Sequence, residues 1–176
     1  VVCRRQRQMC IRDSNSGKLN INKEIIKEVS MDLSGKKAVV FGGTSGIGLA
    51  TTLLLAEDGA EVTAISREPK KAGTLPNGVT TRACDVLDRG AVEAVLGELS
   101  PIDILVTAAT GGKRAFGPFL NMDLDGYKAS FDKLWGYANV VRYGAMHVSD
   151  GGSITLVSGA PARNCLPCLL YTSPSP

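Results

Sequence analysis

The chain has 176 residues, 44% of them hydrophobic and 21% charged, the balance of one soluble globular domain and not of a collagenous or disordered chain. No apolar run approaches the roughly 18 residues needed to span a bilayer, so no membrane segment is expected. The net charge of +3 is carried by Arg4, Arg5, Arg7 and Arg12 against Asp13, which leaves residues 15–176 neutral and removes the case for a nucleic-acid-binding surface once that tail is set aside.

The two ends read differently from the middle. Arg4 to Ser14, RRQRQMCIRDS, resembles a translated sequencing adapter, and Cys168 to Pro176, CLLYTSPSP, resembles its partner read on the opposite strand. The two check each other, because the reverse complement of codons for MCIRDS encodes CLLYTS. Residues 1–14 and most of 165–176 are therefore expected to be adapter-like tails and are excluded from fold reasoning. Four of the five cysteines, Cys3, Cys10, Cys165 and Cys168, lie in or beside these tails, so no disulfide framework is indicated. The CxxC of Cys165 and Cys168 has no second CxxC or His pair to complete a metal site, and none is expected. Arg4-Arg5 lacks the apolar stretch of an export signal, which makes the expected location cytoplasmic. Residues 15–30 have two readings. Lys27-Glu28-Val29 can be encoded as a bacterial ribosome-binding sequence just ahead of Met31, which makes the segment untranslated upstream sequence; alternatively Ile21–Val29 is a short amphipathic helix.

From Met31, short apolar runs alternate with helical stretches, the pattern of βα units on a parallel sheet. Lys37–Phe41 (KAVVF) is uncharged after its first residue, as a strand covered on both faces should be. A glycine turn opens a helix over Ile47–Asp58, whose apolar Ile47, Ala50, Leu54 and Leu55 recur at helical spacing before Gly59 stops it. Glu61–Ser66 is the second strand, Val79–Asp85 the third, Ala91–Leu99 a helix and Ile102–Thr107 the fourth strand. Leu124–Val148 carries helical material with Gly126, Gly136 and Gly144 as expected interruptions, and Gly152–Val157 is the fifth strand. Phe131 and Trp135, four apart, are expected to pack in the core or an interface. His147, the one histidine, is expected on the surface or in the last helical turn.

The chemistry sits in the turn after the first strand. Gly42 to Gly48 reads GGTSGIG between a strand and a helix, the context in which glycines cradle a pyrophosphate. Gly42 permits the tight turn, Gly46 lets the backbone approach the anion, and Gly48 lets helix and sheet pack closely. The helix N-terminus then offers amide donors and a positive dipole end. Gly111-Gly112-Lys113-Arg114 lacks the Walker context and reads as a loop after the fourth strand.

FGGTSGIGLA after the first strand, SR closing the second, CDV closing the third, LVTAA on the fourth and GGSITLVSGA on the fifth together resemble the short-chain dehydrogenase/reductase family, over about Leu33 to Asn164. The resemblance implies a doubly wound parallel α/β sheet of Rossmann type within residues 31–164, truncated after the fifth strand. It also implies that Gly42, Thr44, Ser45, Gly46, Ile47 and Gly48 line the cofactor phosphates, that Asp85 and Val86 hold the adenine, and that Ala108, Ala109 and Thr110 border the ribose. Where the family has Asn-Asn-Ala-Gly, this chain has Thr107-Ala108-Ala109-Thr110.

An acid ending the second strand would repel a 2′-phosphate; this chain has Ser66 and Arg67 there, a hydroxyl and a guanidinium, and the expected cofactor is NADP(H). The family's mechanism implies a Tyr and a Lys four residues later, a Ser and an Asn. Ser158 stands one residue before the family's Ser position, which Gly159 occupies, and Lys133 stands where the Asn belongs. Tyr171 falls near the family's Ser-to-Tyr interval, but Ser175 follows in place of Lys, and Pro174 and Pro176 oppose the helix such a pair needs. The expected function is hydride transfer between the nicotinamide and a small carbonyl or alcohol substrate in the intact parent, which could form a homo-oligomer, with this fragment inactive. The alternative is a protein that binds or senses NADP(H) without turnover.

Overall fold

The computed structural model describes residues 31–110, 115 and 119–158. Gly111–Arg114, Gly159, Tyr171, Ser175 and both tails lie outside the described residues. The elements belong to a unit that starts at Asp32.

Five strands, β1 (Lys37–Phe41), β2 (Glu61–Ser66), β3 (Val79–Ala83), β4 (Ile102–Thr107) and β5 (Val148–Leu156), form one sheet in the order β3-β2-β1-β4-β5. Every pairing is parallel. The helices are α1 (Gly46–Glu57), α2 (Arg89–Leu99), α3 (Leu124–Ala129) and α4 (Asp132–Gly144). This is the parallel sheet of βα units that the alternating pattern predicted, in the doubly wound Rossmann-type order that the resemblance implied.

The uncharged β1 works because a strand alternates its side chains between faces. Val39 and Phe41 join Ile65, Leu105 and Val140 on the side covered by α2 and α4. Ala38 and Val40 join Val62 and Val106 on the other side, where Leu55 and Ala56 of α1 pack against them. At the foot of the sheet Asp103 ties β4 to β1, accepting from the Lys37 amide at 2.9 Å and the Lys36 ammonium at 3.3 Å. The chain steps from β1 to β2 to β3 and then returns to β4 on the other side of β1. The crevice of the fold therefore opens at the C-terminal ends of β1 and β4, where the direction of travel reverses.

Five boundaries or faces differ from the sequence expectation. In α1 the buried residues are Gly48 and Thr52, whereas Ile47 and Leu54 are 65% and 49% exposed. The helix is rotated away from its apolar stripe because Gly48 presses on the Gly42 carbonyl: a Cβ there would come within 2.7 Å of the Gly42 carbonyl carbon. Thr52 fixes the same rotation by donating its hydroxyl to the Gly43 carbonyl at 3.1 Å. Gly48 thus fits the helix to the turn more directly than to the sheet.

Gly126 and Gly136 do not interrupt helices but lie inside α3 and α4, and Gly144 is the last residue of α4. Gly136 and Gly144 are sites of close approach, since an added Cβ would meet Val86 and Leu105 side chains at 2.6 Å each. The actual break falls between the two helices, at Ser130-Phe131.

The third strand ends at Ala83, two residues short of Asp85, because Asp85 already turns the chain: its carbonyl accepts from Asp88 at 3.0 Å. The fifth strand begins at Val148, not Gly152. A register irregularity between the Ile102 and Ile104 pairings, with Gly151 at φ +79°, absorbs the Asp-Gly-Gly stretch that reads as loop in the sequence. Trp135 is 57% exposed and is not a core residue; Phe131 instead stacks edge-on against Tyr127, with ring centres 5.4 Å apart.

Leu105 is fully buried in the central layer between the sheet and α4. Leu105→Ala should lower unfolding stability by about 2–5 kcal/mol, the range for a large-to-small change in a packed core, measured by urea denaturation of the purified chain.

Candidate functional site

The site grows from the end of β1. Gly42 adopts φ +79°, a conformation that favours glycine. Its amide donates to the Ile65 carbonyl at 2.7 Å, and any Cβ would fall 2.7 Å from the Ala109 amide nitrogen. The turn therefore lies flat against the end of β4. Gly46 has φ +52° and open space where a Cβ would stand, so the start of α1 is accessible. The N-cap Ser45 makes no side-chain capping bond and the first turn holds no acid. Amide donors and the positive dipole end thus face the crevice with no anion of the helix's own to meet them.

Two hollows flank this turn and share Gly42, Ser45, Ala109 and Thr110, making one cleft bent over the glycines. The first hollow adds Thr44, then Ser66 and Arg67 from the end of β2, then Cys84, Asp85, Val86 and Leu87 after β3. The second adds Gly46, Ile47, Gly48 and Ala108, with Lys133 from α4 and Val157 and Ser158 after β5. All the candidate residues named from the sequence line one hollow or the other. His147 does not: it sits in a 3₁₀ turn before β5, at the opposite end of that strand from Ser158.

At the first end, the Ser66 hydroxyl is buried and has no hydrogen-bond partner among the described residues. A buried hydroxyl without a partner costs free energy, about 1–3 kcal/mol, unless something entering the cleft satisfies it. Asp85 Oδ1 accepts from the Leu87 amide at 3.0 Å, which holds the carboxylate at the wall of the hollow. Beside it, burial pushes the Cys84 thiol up to about 11, with the Asp88 and Asp85 carboxylates adding to the rise.

The other end is built by α4. The Lys133 ammonium lies 5.2 Å above the Tyr137 ring, a cation–π contact that fixes its direction. Tyr137 donates its hydroxyl to the Val157 carbonyl at 2.6 Å, and the Val157 amide donates to the Thr107 carbonyl at 3.0 Å. Asn139, two residues on, reaches the opposite side and donates to the Val86 carbonyl at 2.9 Å. Tyr137 and Asn139 are absent from the sequence reading. Their one signal there is that they are polar residues flanking Gly136 and Val140 on a helix whose other buried positions are small or apolar; the partners are 20 and 53 residues away in the chain.

The model for short chain dehydrogenases matches residues 36–170. The chain belongs to the short chain dehydrogenase family. Among its relatives, the L-xylulose reductase of Mesocricetus auratus is 30% identical over 145 residues, which cover 78% of this chain and 59% of that protein. A solved structure described as a short chain dehydrogenase/reductase family protein superposes with a TM-score of 0.68 at 29% identity, covering 78% of this chain and 61% of the other. The crystal structure of BdcA in complex with NADPH superposes with a TM-score of 0.65 at 28% identity, covering 76% of this chain and 55% of the other. The chain thus spans about three fifths of the length of these relatives.

The raised Cys84 thiol gives a direct check. The thiolate is the reactive form, so iodoacetamide should spare Cys84 in the native chain at neutral pH, with labelling rising as pH approaches about 11 and becoming rapid on unfolding. Peptide mass spectrometry reads this site apart from the other cysteines, and fast native labelling at neutral pH would contradict it.

Proposed function

We propose that the domain of residues 31–164 binds NADP(H) and belongs to an oxidoreductase that interconverts a small carbonyl compound and its alcohol. The observation that carries the reading is the pair at the end of β2: a buried Ser66 hydroxyl with no partner among the described residues, beside Arg67, both lining the cleft that runs over the glycine turn. A phosphate on the adenine ribose would satisfy the hydroxyl and meet a guanidinium, a charge-assisted pairing that a bare 2′-hydroxyl cannot supply. The flat backbone at Gly42 and the open N-terminus of α1 suit a pyrophosphate between the two hollows. Asp85 and Val86 would hold the adenine, and Ala108, Ala109 and Thr110 would border the second ribose.

When bound, the nicotinamide supplies or accepts hydride. The chain's own contribution at that end is two hydrogen-bond donors, the Ser158 hydroxyl and the Lys133 ammonium. Donors aimed at a carbonyl oxygen stabilise the negative charge that develops there as the carbon is reduced. Lys133, held over Tyr137 by a fixed contact, is the better placed of the two to present charge without reorganising. The same contact favours a second reading, an NADP(H)-binding protein without turnover, since it gives Lys133 a structural role of its own. Absorbance loss at the nicotinamide band with a panel of reactive carbonyls separates the readings: an oxidoreductase consumes NADPH and a binder does not.

The cofactor assignment is tested at Arg67. Arg67→Asp should weaken NADPH by about 2 kcal/mol or more, the scale of a lost charge-assisted contact with added repulsion, while favouring NADH. Nicotinamide fluorescence titration reads both, and an equal loss for the two cofactors would count against the reading.

A further inference from the structure

We propose that Asn139 is a positioning residue for the adenine end of the cleft, acting on Asp85 through a single peptide plane; the inference rests on the dinucleotide reading above. Asn139 is 8% exposed, and its Nδ2 donates to the Val86 carbonyl at 2.9 Å. The N–H of that same peptide, on Leu87, donates to Asp85 Oδ1 at 3.0 Å. The carbonyl and N–H of a trans peptide point in opposite directions within one rigid plane. The Val86–Leu87 peptide is therefore gripped from α4 on one side and by the Asp85 carboxylate on the other.

Gly136, three residues before Asn139 and so on the same helix face, adds a steric stop. Its position against Val86 is so close that a Cβ would come within 2.6 Å of Val86 Cγ2. The helix thus fixes Val86 by side chain and carbonyl together. With the peptide fixed, Asp85 Oδ1 is committed to Leu87 and the carboxylate is oriented in the wall of the hollow. An oriented carboxylate is the acceptor that an amino-bearing base requires. Loss of the Asn139 donor leaves a buried carbonyl without its partner and lets the peptide turn, and the carboxylate turns with it.

The shape and chemistry of Asn are both needed. Leu has similar bulk but no donor, and Asp sets an acceptor against the Val86 oxygen. Gln keeps the amide donor on a longer arm.

The test is equilibrium binding of adenosine 2′,5′-bisphosphate and of AMP to the full chain, which needs no turnover. Asn139→Leu is expected to weaken both about tenfold, the equivalent of one buried hydrogen bond, and Asn139→Asp more than about tenfold, while Asn139→Gln stays within about threefold of wild type. Ser130→Ala is the control for general loosening. It removes a buried hydroxyl that donates to the Gly126 carbonyl at 2.9 Å and accepts from the Ala115 amide at 3.1 Å, outside the cleft lining. It should lower the melting temperature and leave both affinities unchanged. If Asn139→Leu fails to fold, the Asp and Gln variants decide. Unchanged affinity in the Leu or Asp variant, or an equal loss in Ser130→Ala, overturns the inference alone. Binding of AMP without preference for the bisphosphate overturns the NADP(H) assignment and leaves Asn139 to be judged on AMP. Binding of neither nucleotide by wild type overturns the dinucleotide reading and this inference together.

Discussion

The contact on which most of this architecture turns is between two glycines. Gly48, in the first turn of α1, rests on the carbonyl of Gly42, and neither position has room for a side chain. That contact fixes how α1 rotates about its axis, with Thr52 holding the same rotation through the Gly43 carbonyl. It also fixes where the helix N-terminus points. With Gly42 pressed against Ala109, the turn becomes the ridge over which the cleft bends, and the two hollows on either side share its residues. A helix rotated to bury Ile47 and Leu54 would gain apolar area, but it would lose this fit at the C-terminal ends of β1 and β4, where the crevice opens.

The second organising element is α4, which is built for close approach on one face and polar anchoring at two points. Gly136 and Gly144 let it lie on Val86 and Leu105. Tyr137 and Asn139 satisfy the Val157 and Val86 carbonyls, which belong to opposite ends of the cleft. Buried polar groups are costly unless paired, and this helix uses its two to hold loops that carry candidate ligand contacts. Ser66 and Thr107 are the buried hydroxyls without partners among the described residues. Ser66 lines the cleft and Thr107 does not, so of the two only Ser66 can be satisfied by a group entering the cleft.

Much of the fold and the candidate site was legible in the sequence, and the errors share a cause. The strands Lys37–Phe41, Glu61–Ser66 and Ile102–Thr107 were readable to the residue, because a buried parallel strand is a short apolar run between turn signals. The glycine turn and the residues closing the second strand were readable because their spacing is local, whereas the third strand ends at Ala83, before the Asp85 turn. The apolar stripe of α1 was misassigned, since periodicity reports which residues could face a core and not which face a glycine contact selects. Gly144 does end a helix, but Gly126 and Gly136 lie inside theirs; a missing side chain looks the same in sequence whether it ends a helix or lets another chain segment come close.

The sequence by itself therefore determined the βα alternation on a parallel sheet, the position of the glycine turn and the chemical character at the end of β2, where a hydroxyl and a guanidinium stand in place of an acid. These follow from period, propensity and residue type within a few neighbouring positions. Only the tertiary structure decided the strand order, the rotation of α1, the joining of two hollows into one cleft, and the reach of Tyr137 and Asn139 to carbonyls 20 and 53 residues away. Those depend on which surfaces meet when the chain closes on itself, and a hydrogen bond between distant segments leaves no periodic trace in the order of the residues.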